Sequence, residues 1–263
     1  MQNWFTKNIA YFLIGFVTIA IASYIYLIGN DVRAMTYFGD ATQLLVALFA
    51  GISIPLLFGQ KEFRDKIHSL PWHMIGLGFI VWALGQAYWS YQEIVLNINM
   101  GEVAYSFADI GFLLLYPFVI AGFIVQTRHL GRLKMPPWWL LLIIAGFAGL
   151  MTYFSWEALV TELAGPDKMT FILQLLYLFG DVVIVIGSAL IAWNTRGGII
   201  SVAWSILTAS FAFFAVGNQL YNFHAYSSVG YQTGSLIDLT WILAFIIAWV
   251  GANVFHTLLR ERG

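Results

Sequence analysis

Cysteine is absent from this 263-residue sequence, which excludes disulfides, thiol catalysis and cysteine-ligated zinc. Charge is scarce: 10% of residues are Asp, Glu, Lys or Arg, against about 25% in a typical soluble domain. A net charge of −1 leaves no basic surface of the kind that binds nucleic acid, so nucleic acid is excluded as a partner. Inside the apolar runs proline is limited to Pro55 and Pro117, so few helices are expected to be broken. The HExxH, phosphate-loop and nucleophile-elbow patterns are missing, as is the period-two alternation of a membrane barrel.

What the sequence has is apolar length. Hydrophobic residues make up 60% of it, in runs of about 20 that suffice to cross a ~30 Å hydrocarbon core as helices. These runs predict an all-α integral membrane protein with eight transmembrane helices, at about 9–29, 37–58, 72–96, 107–127, 137–156, 170–193, 199–222 and 236–257. The breaks are marked by Lys61–Pro71, Arg128–Pro137 and Asn194–Gly198. Ala20-Ile21-Ala22 resembles a signal-peptide cleavage site. The preceding apolar run is longer than the 7–15 residues of a signal core, so a membrane span is expected instead.

Basic residues orient the helices. With a cytoplasmic N-terminus, the inner segments hold Lys7, Lys61, Arg64, Lys66, Arg128, Arg132, Lys134, Arg196, Arg260 and Arg262, and the outer loops hold only Arg33 and Lys168. The positive-inside bias therefore predicts a multi-pass protein of the cell membrane with both termini cytoplasmic.

The sequence also repeats itself. Phe38-Gly39-Asp40 returns as Phe179-Gly180-Asp181, Gly85-Gln86 as Gly217-Asn218, and Ser106-x-x-Asp109 as Ser235-x-x-Asp238. Three matches in the same order predict two tandem four-helix repeats, 1–130 and 131–263. An even number of spans makes them parallel, related by an axis along the membrane normal. A pocket between the halves is the expected place for a site.

Carboxylates inside apolar runs are the candidate functional groups, because a central one costs about 2.5–3.5 kcal/mol on insertion scales and faces the bundle interior. Asp181 is the deepest, with Asn218, Gln219, Gln174 and tyrosines as candidate partners; tying two helices together is its purely structural alternative. Asp109 and Asp238 each follow a serine by three residues, the spacing of a capping box. They also head aromatic stripes: Asp109, Phe112 and Tyr116 share a helical face, as do Asp238, Trp241 and Phe245. Trp82, Gln86, Trp89 and Glu93 are expected on one face of the third span, and Phe214, Asn218 and Tyr221 on one face of the seventh. Glu93 has no acidic counterpart, the aligned residue being Ala225. Asp40 and Asp181 form the one carboxylate pair suited to acid–base hydrolysis. His73 and His256 are the only pair at compatible depth for a two-histidine haem. No span contains a lysine, which excludes a retinal Schiff base.

Gly85, Tyr88-Trp89, Tyr91 and Glu93, then Ser106, Ala108-Asp109 and Tyr116-Pro117, resemble the N-terminal multi-span sensor region of many archaeal and bacterial signalling proteins. That region precedes PAS, histidine-kinase or diguanylate-cyclase domains. Gly180-Asp181, Tyr231, Gly234-Ser235, Asp238 and Trp241 extend the resemblance, which covers about 35–255. It departs from the family at Gln86 and Asn218, where relatives often carry Asp, and at Tyr105, where they carry Pro. With Gly263 a few residues past the last span, the resemblance implies a stand-alone module signalling through a separate partner.

The expected function is thus a membrane sensor that binds a small cationic, amphipathic or lipid-like molecule in an acidic, aromatic pocket between the repeats. Its candidate partners are the lipid bilayer, a cytoplasmic signalling protein and a second copy of the chain. A transporter built on the mid-membrane Asp181 is the alternative, and an aspartyl-type membrane hydrolase the third.

Overall fold

The computed structural model describes residues 31–59, 66–131, 133–165, 168–198, 200–225 and 230–260. The first predicted span, 9–29, and the charged loop at 60–65 lie outside them. The described residues hold seven helices long and apolar enough to cross a membrane, and no strand. They are α1 (Val32–Phe58), α2 (Lys66–Ser90), α3 (Ala108–Leu130), α4 (Trp138–Ala164), α5 (Lys168–Asn194), α6 (Ile200–Ala225) and α7 (Asp238–Arg260).

The ends depart from the sequence expectation for local reasons. α1 starts earlier because the Asp31 carboxylate caps it, accepting from the amides of Arg33 (2.9 Å) and Ala34 (3.1 Å), two of the donors a helix start leaves unpaired. Pro71, expected to separate two spans, lies inside α2. α4 runs on to Ala164, so Glu157 and Glu162 belong to a helix and not to a loop.

Six helices close a ring in the order α1–α2–α3–α5–α6–α7–α1, and α4 packs outside it against α5 and α6. The α2–α3 pair is the most extensive contact. Gly85 and Gly111 face each other there, and a Cβ on Gly111 would lie 2.6 Å from the Gly85 Cα. Small residues at crossings let membrane helices approach closely.

One end of the bundle, formed by the α2–α3, α4–α5 and α6–α7 connections, carries Glu93, Glu102, Asp109, Glu162 and Asp238; the other carries Arg128, Lys134, Arg196 and Arg260. Towards the basic end the ring is filled by rings. Trp72 packs on Phe58 (5.5 Å), Phe255 (5.2 Å) and Trp204 (5.6 Å), and Phe123 packs on Trp204 and Phe211. Halfway up, Phe245 contacts Phe79 (5.0 Å), Phe214 (6.0 Å) and Trp82 (4.8 Å). Above Trp82 the packing stops and a cavity begins.

Candidate functional site

The cavity has a volume of about 420 Å³, within the range of small-molecule sites. Its floor is Trp82, and its walls come from every helix of the ring: Gln43 of α1, Gln86 and Trp89 of α2, Asp109 and Phe112 of α3, Gln174 and Tyr177 of α5, Asn218, Tyr221 and Asn222 of α6, and Trp241 of α7. Tyr231, Glu102 and Glu162 line it at the acid-rich end. Among the described residues no lysine or arginine lines it. Lys168, the nearest in sequence to that end of α5, donates instead to the carbonyls of Leu163 and Gly165.

Helical spacing places most of these residues. Trp82, Gln86 and Trp89 share the α2 face as their spacing predicts. Glu93, expected to continue it, does not line the cavity. After Ser90 the helix widens into a π-turn over Tyr91–Val95, and the wider turn breaks the i, i+4 register. Glu93 is carried to the turn that follows, where its Oε1 accepts from the Met100 amide at 3.3 Å.

Three other predicted site carboxylates sit behind the wall. Asp181 is fully buried. Its Oδ1 accepts from the Tyr116 hydroxyl (2.8 Å) and the Asn218 amide (2.9 Å), and its Oδ2 from Asn218 (3.2 Å) and Gln219 (3.3 Å). Gln219 in turn accepts from the Ser155 hydroxyl of α4. Tyr116 reaches Asp181 because Gly180 precedes it: a Cβ there would lie 2.6 Å from the Tyr116 ring. Tyr116 itself therefore faces Asp181 and not the cavity.

Asp40 is also fully buried, its Oδ1 accepting from Gln86 at 3.0 Å. Ser90 and Glu93 lie beside Asp40, and neither Asp40 Oδ2 nor Glu93 Oε2 has a hydrogen-bond partner among the described residues. Gly39 beside it lets α7's approach come close, since a Cβ would lie 2.6 Å from the Gly234 nitrogen. Asp238, also behind the wall, accepts from the Tyr231 hydroxyl and the Gly234 amide, both at 2.7 Å. Burial, and then the Asp238 carboxylate, hold the Tyr231 phenol above its ordinary range, so it serves as a donor.

Asp109 alone of the four aspartates lines the cavity. Its Oδ2 accepts from the Ser106 amide (2.6 Å) while Ser106 Oγ accepts from Ala108 (3.1 Å); the acid supplies its half of a capping box, and the serine bonds the amide two residues on instead of three. Tyr177 donates to its Oδ1 at 2.7 Å. The Asp238 turn is built differently: Gly234, and not Ser235, supplies the amide.

Of the residues expected at the site, then, Trp82, Gln86, Trp89, Asp109, Asn218, Tyr221 and Trp241 meet around one cavity, and Asp40, Glu93, Tyr116, Asp181 and Asp238 stand behind or beside it. Asp40 and Asp181 share no hydrogen bond and no partner, so no carboxylate pair forms there. His73 and His256 do not line the cavity; the first has Nδ1 2.8 Å from the Ser69 carbonyl, the second meets the Phe58 ring edge-on. Gln43 and Tyr177 were not legible as site residues, although each lies one turn from a buried aspartate, Asp40 or Asp181, on the same helix. That spacing was the available signal.

No family model, curated protein or solved structure matches the chain.

Proposed function

We propose that the chain is a membrane-embedded ligand-binding module that acts as a sensor, with the ligand held in the cavity inside the six-helix ring. The observation that carries this reading is the wall: aromatics, amides and carboxylates from six helices surround about 420 Å³ with no basic side chain among the described residues. Such convergence of a few polar groups in a largely apolar pocket is the usual form of a small-molecule site. A cationic, amphipathic or lipid-like ligand fits it. The aromatic floor and filled lower half of the ring favour holding a ligand over passing it, and Asp181, engaged by three side chains, has the bonding of a joint more than of a carrier. This ranks binding above transport.

In the same proposal the chain is eight spans in two parallel four-helix repeats, with cytoplasmic termini and a cytoplasmic or self-associated signalling partner. Support comes from the paired geometry of the motifs. Asp40 bonds Gln86 and Asp181 bonds Asn218, α1 packs on α7 as α5 packs on α3, and most of the described basic residues lie at one end, Arg33 and Lys168 at the other. The resemblance to sensor regions points the same way.

Purification in mild detergent followed by native mass spectrometry tests the reading. A small molecule should remain bound to the wild-type protein and be lost from Ala225→Trp, since Ala225, the last residue of α6, lines the cavity and a large ring there would fill it. Wild-type protein that carries no ligand and takes none up from a metabolite extract would end the proposal.

A further inference from the structure

The wall's hydrogen bonds indicate what kind of molecule the cavity takes. Six of its side-chain donors are already spent on the protein. Gln86 donates to Asp40 (3.0 Å), Trp89 to Thr233 (3.3 Å), Tyr177 to Asp109 (2.7 Å), Asn218 to Asp181 (2.9 Å), Tyr231 to Asp238 (2.7 Å) and Trp241 to Asn218 (2.9 Å). Four of these bonds end on aspartates and the other two on Thr233 and Asn218.

Acceptors remain. Gln174 is nine-tenths buried, lines the cavity, and its Oε1 has no hydrogen-bond partner; a buried acceptor left so costs on the order of 1–3 kcal/mol. Tyr177, three residues further along the same face of α5, donates to Asp109, which brings the two acceptors to one side of the cavity. Asp109 uses one site on each oxygen, and a carboxylate offers about four. Across from them Trp89, Tyr221, Tyr231 and Trp241 form a cluster with ring centroids 4.6–6.4 Å apart. Ring faces attract cations, most strongly where water is excluded.

We propose that the ligand is a protonated organic amine, whose ammonium N–H groups donate to Asp109 and Gln174 while its carbon body packs among the aromatic rings. This rests on the ligand-binding reading above. An anion would meet the Asp109 carboxylate with no lysine or arginine beside it among the described residues, and a ligand without an N–H or O–H would leave the Gln174 oxygen unmatched. Glu102 and Glu162 at the acid-rich end add negative potential where a cation would enter.

Titration of the detergent-purified protein with three isosteric compounds tests this, read by tryptophan fluorescence and calorimetry at pH 7: phenethylammonium, 2-phenylethanol and phenylacetate. Phenethylammonium should bind saturably, at least tenfold tighter than the alcohol, with phenylacetate weakest. Asp109→Asn should weaken the amine about tenfold, and Gln174→Leu, which leaves the α3 cap intact, several-fold, with alcohol binding unchanged in both. Equal or tighter binding of the alcohol or phenylacetate, removed by Ala225→Trp, would overturn the amine assignment and leave the binding module standing. Unchanged amine affinity in both variants would also overturn it. Failure of all three to bind, with no ligand retained in native mass spectrometry, would remove the amine and the module together.

Discussion

The two Phe-Gly-Asp segments are alike in sequence and differ in what surrounds their carboxylates. Around Asp181 the accounting closes: three side chains supply its donors, and those donors are themselves anchored to Trp241 and Ser155. Around Asp40 it does not close. One amide, from Gln86, holds one oxygen, while the other, like one oxygen of the neighbouring Glu93, has no partner among the described residues. The first is a joint linking α3, α4, α5, α6 and α7. The second is an unfinished network beside the turn that lines the cavity. A shared motif thus shows where a carboxylate will be buried, and the residues opposite decide whether it is structural or available for change.

The sharpest way to break this comparison is to delete the joint. Asp181→Ala leaves the Tyr116, Asn218 and Gln219 donors unmatched in a buried site and should lower unfolding stability by about 3 kcal/mol, read by denaturation in detergent. A loss under 1 kcal/mol would mean that water or rearrangement replaces the carboxylate. Adding a methyl beside each aspartate comes next. Gly39→Ala meets the backbone at Gly234 and should cost about 2 kcal/mol; Gly180→Ala meets a side chain, the Tyr116 ring, and should cost less. Equal thermal shifts would show that the two contacts give equally. The smallest effects are the most diagnostic. Asp181→Asn aims an amide at other amides and should destabilise by about 1 kcal/mol, whereas Asp40→Asn can donate to Glu93 and should be neutral or stabilising by up to about 1 kcal/mol. Shifts of the same sign would erase the distinction between the two networks.

Much of this was legible along the chain. The apolar runs map onto the described helices within a few residues at most ends, and the pairing of Asp181 with Asn218, Gln219 and a tyrosine follows from depth and polarity. Same-face spacing gathered Trp82, Gln86 and Trp89 correctly. It failed at Glu93, because a π-turn changes the number of residues per turn and nothing in Tyr91–Val95 announces one. It failed in another way at Tyr116 and Asp238: a helical face is broad, and whether a residue on it lines a cavity or packs on the next helix depends on that neighbour.

The sequence by itself determined that the chain is helical and apolar enough for a membrane, because composition and run length alone set those properties. It also determined which polar groups had to be buried. Only the tertiary structure decided that six helices close into a ring, that Trp82 ends the packed half, and that Gln86, Tyr177, Asn218 and Tyr231 donate to Asp40, Asp109, Asp181 and Asp238. The physical reason is that a hydrogen bond between helices depends on distance and direction across the bundle. For Asp40 and Asp181, the same three-residue motif ends in two different surroundings.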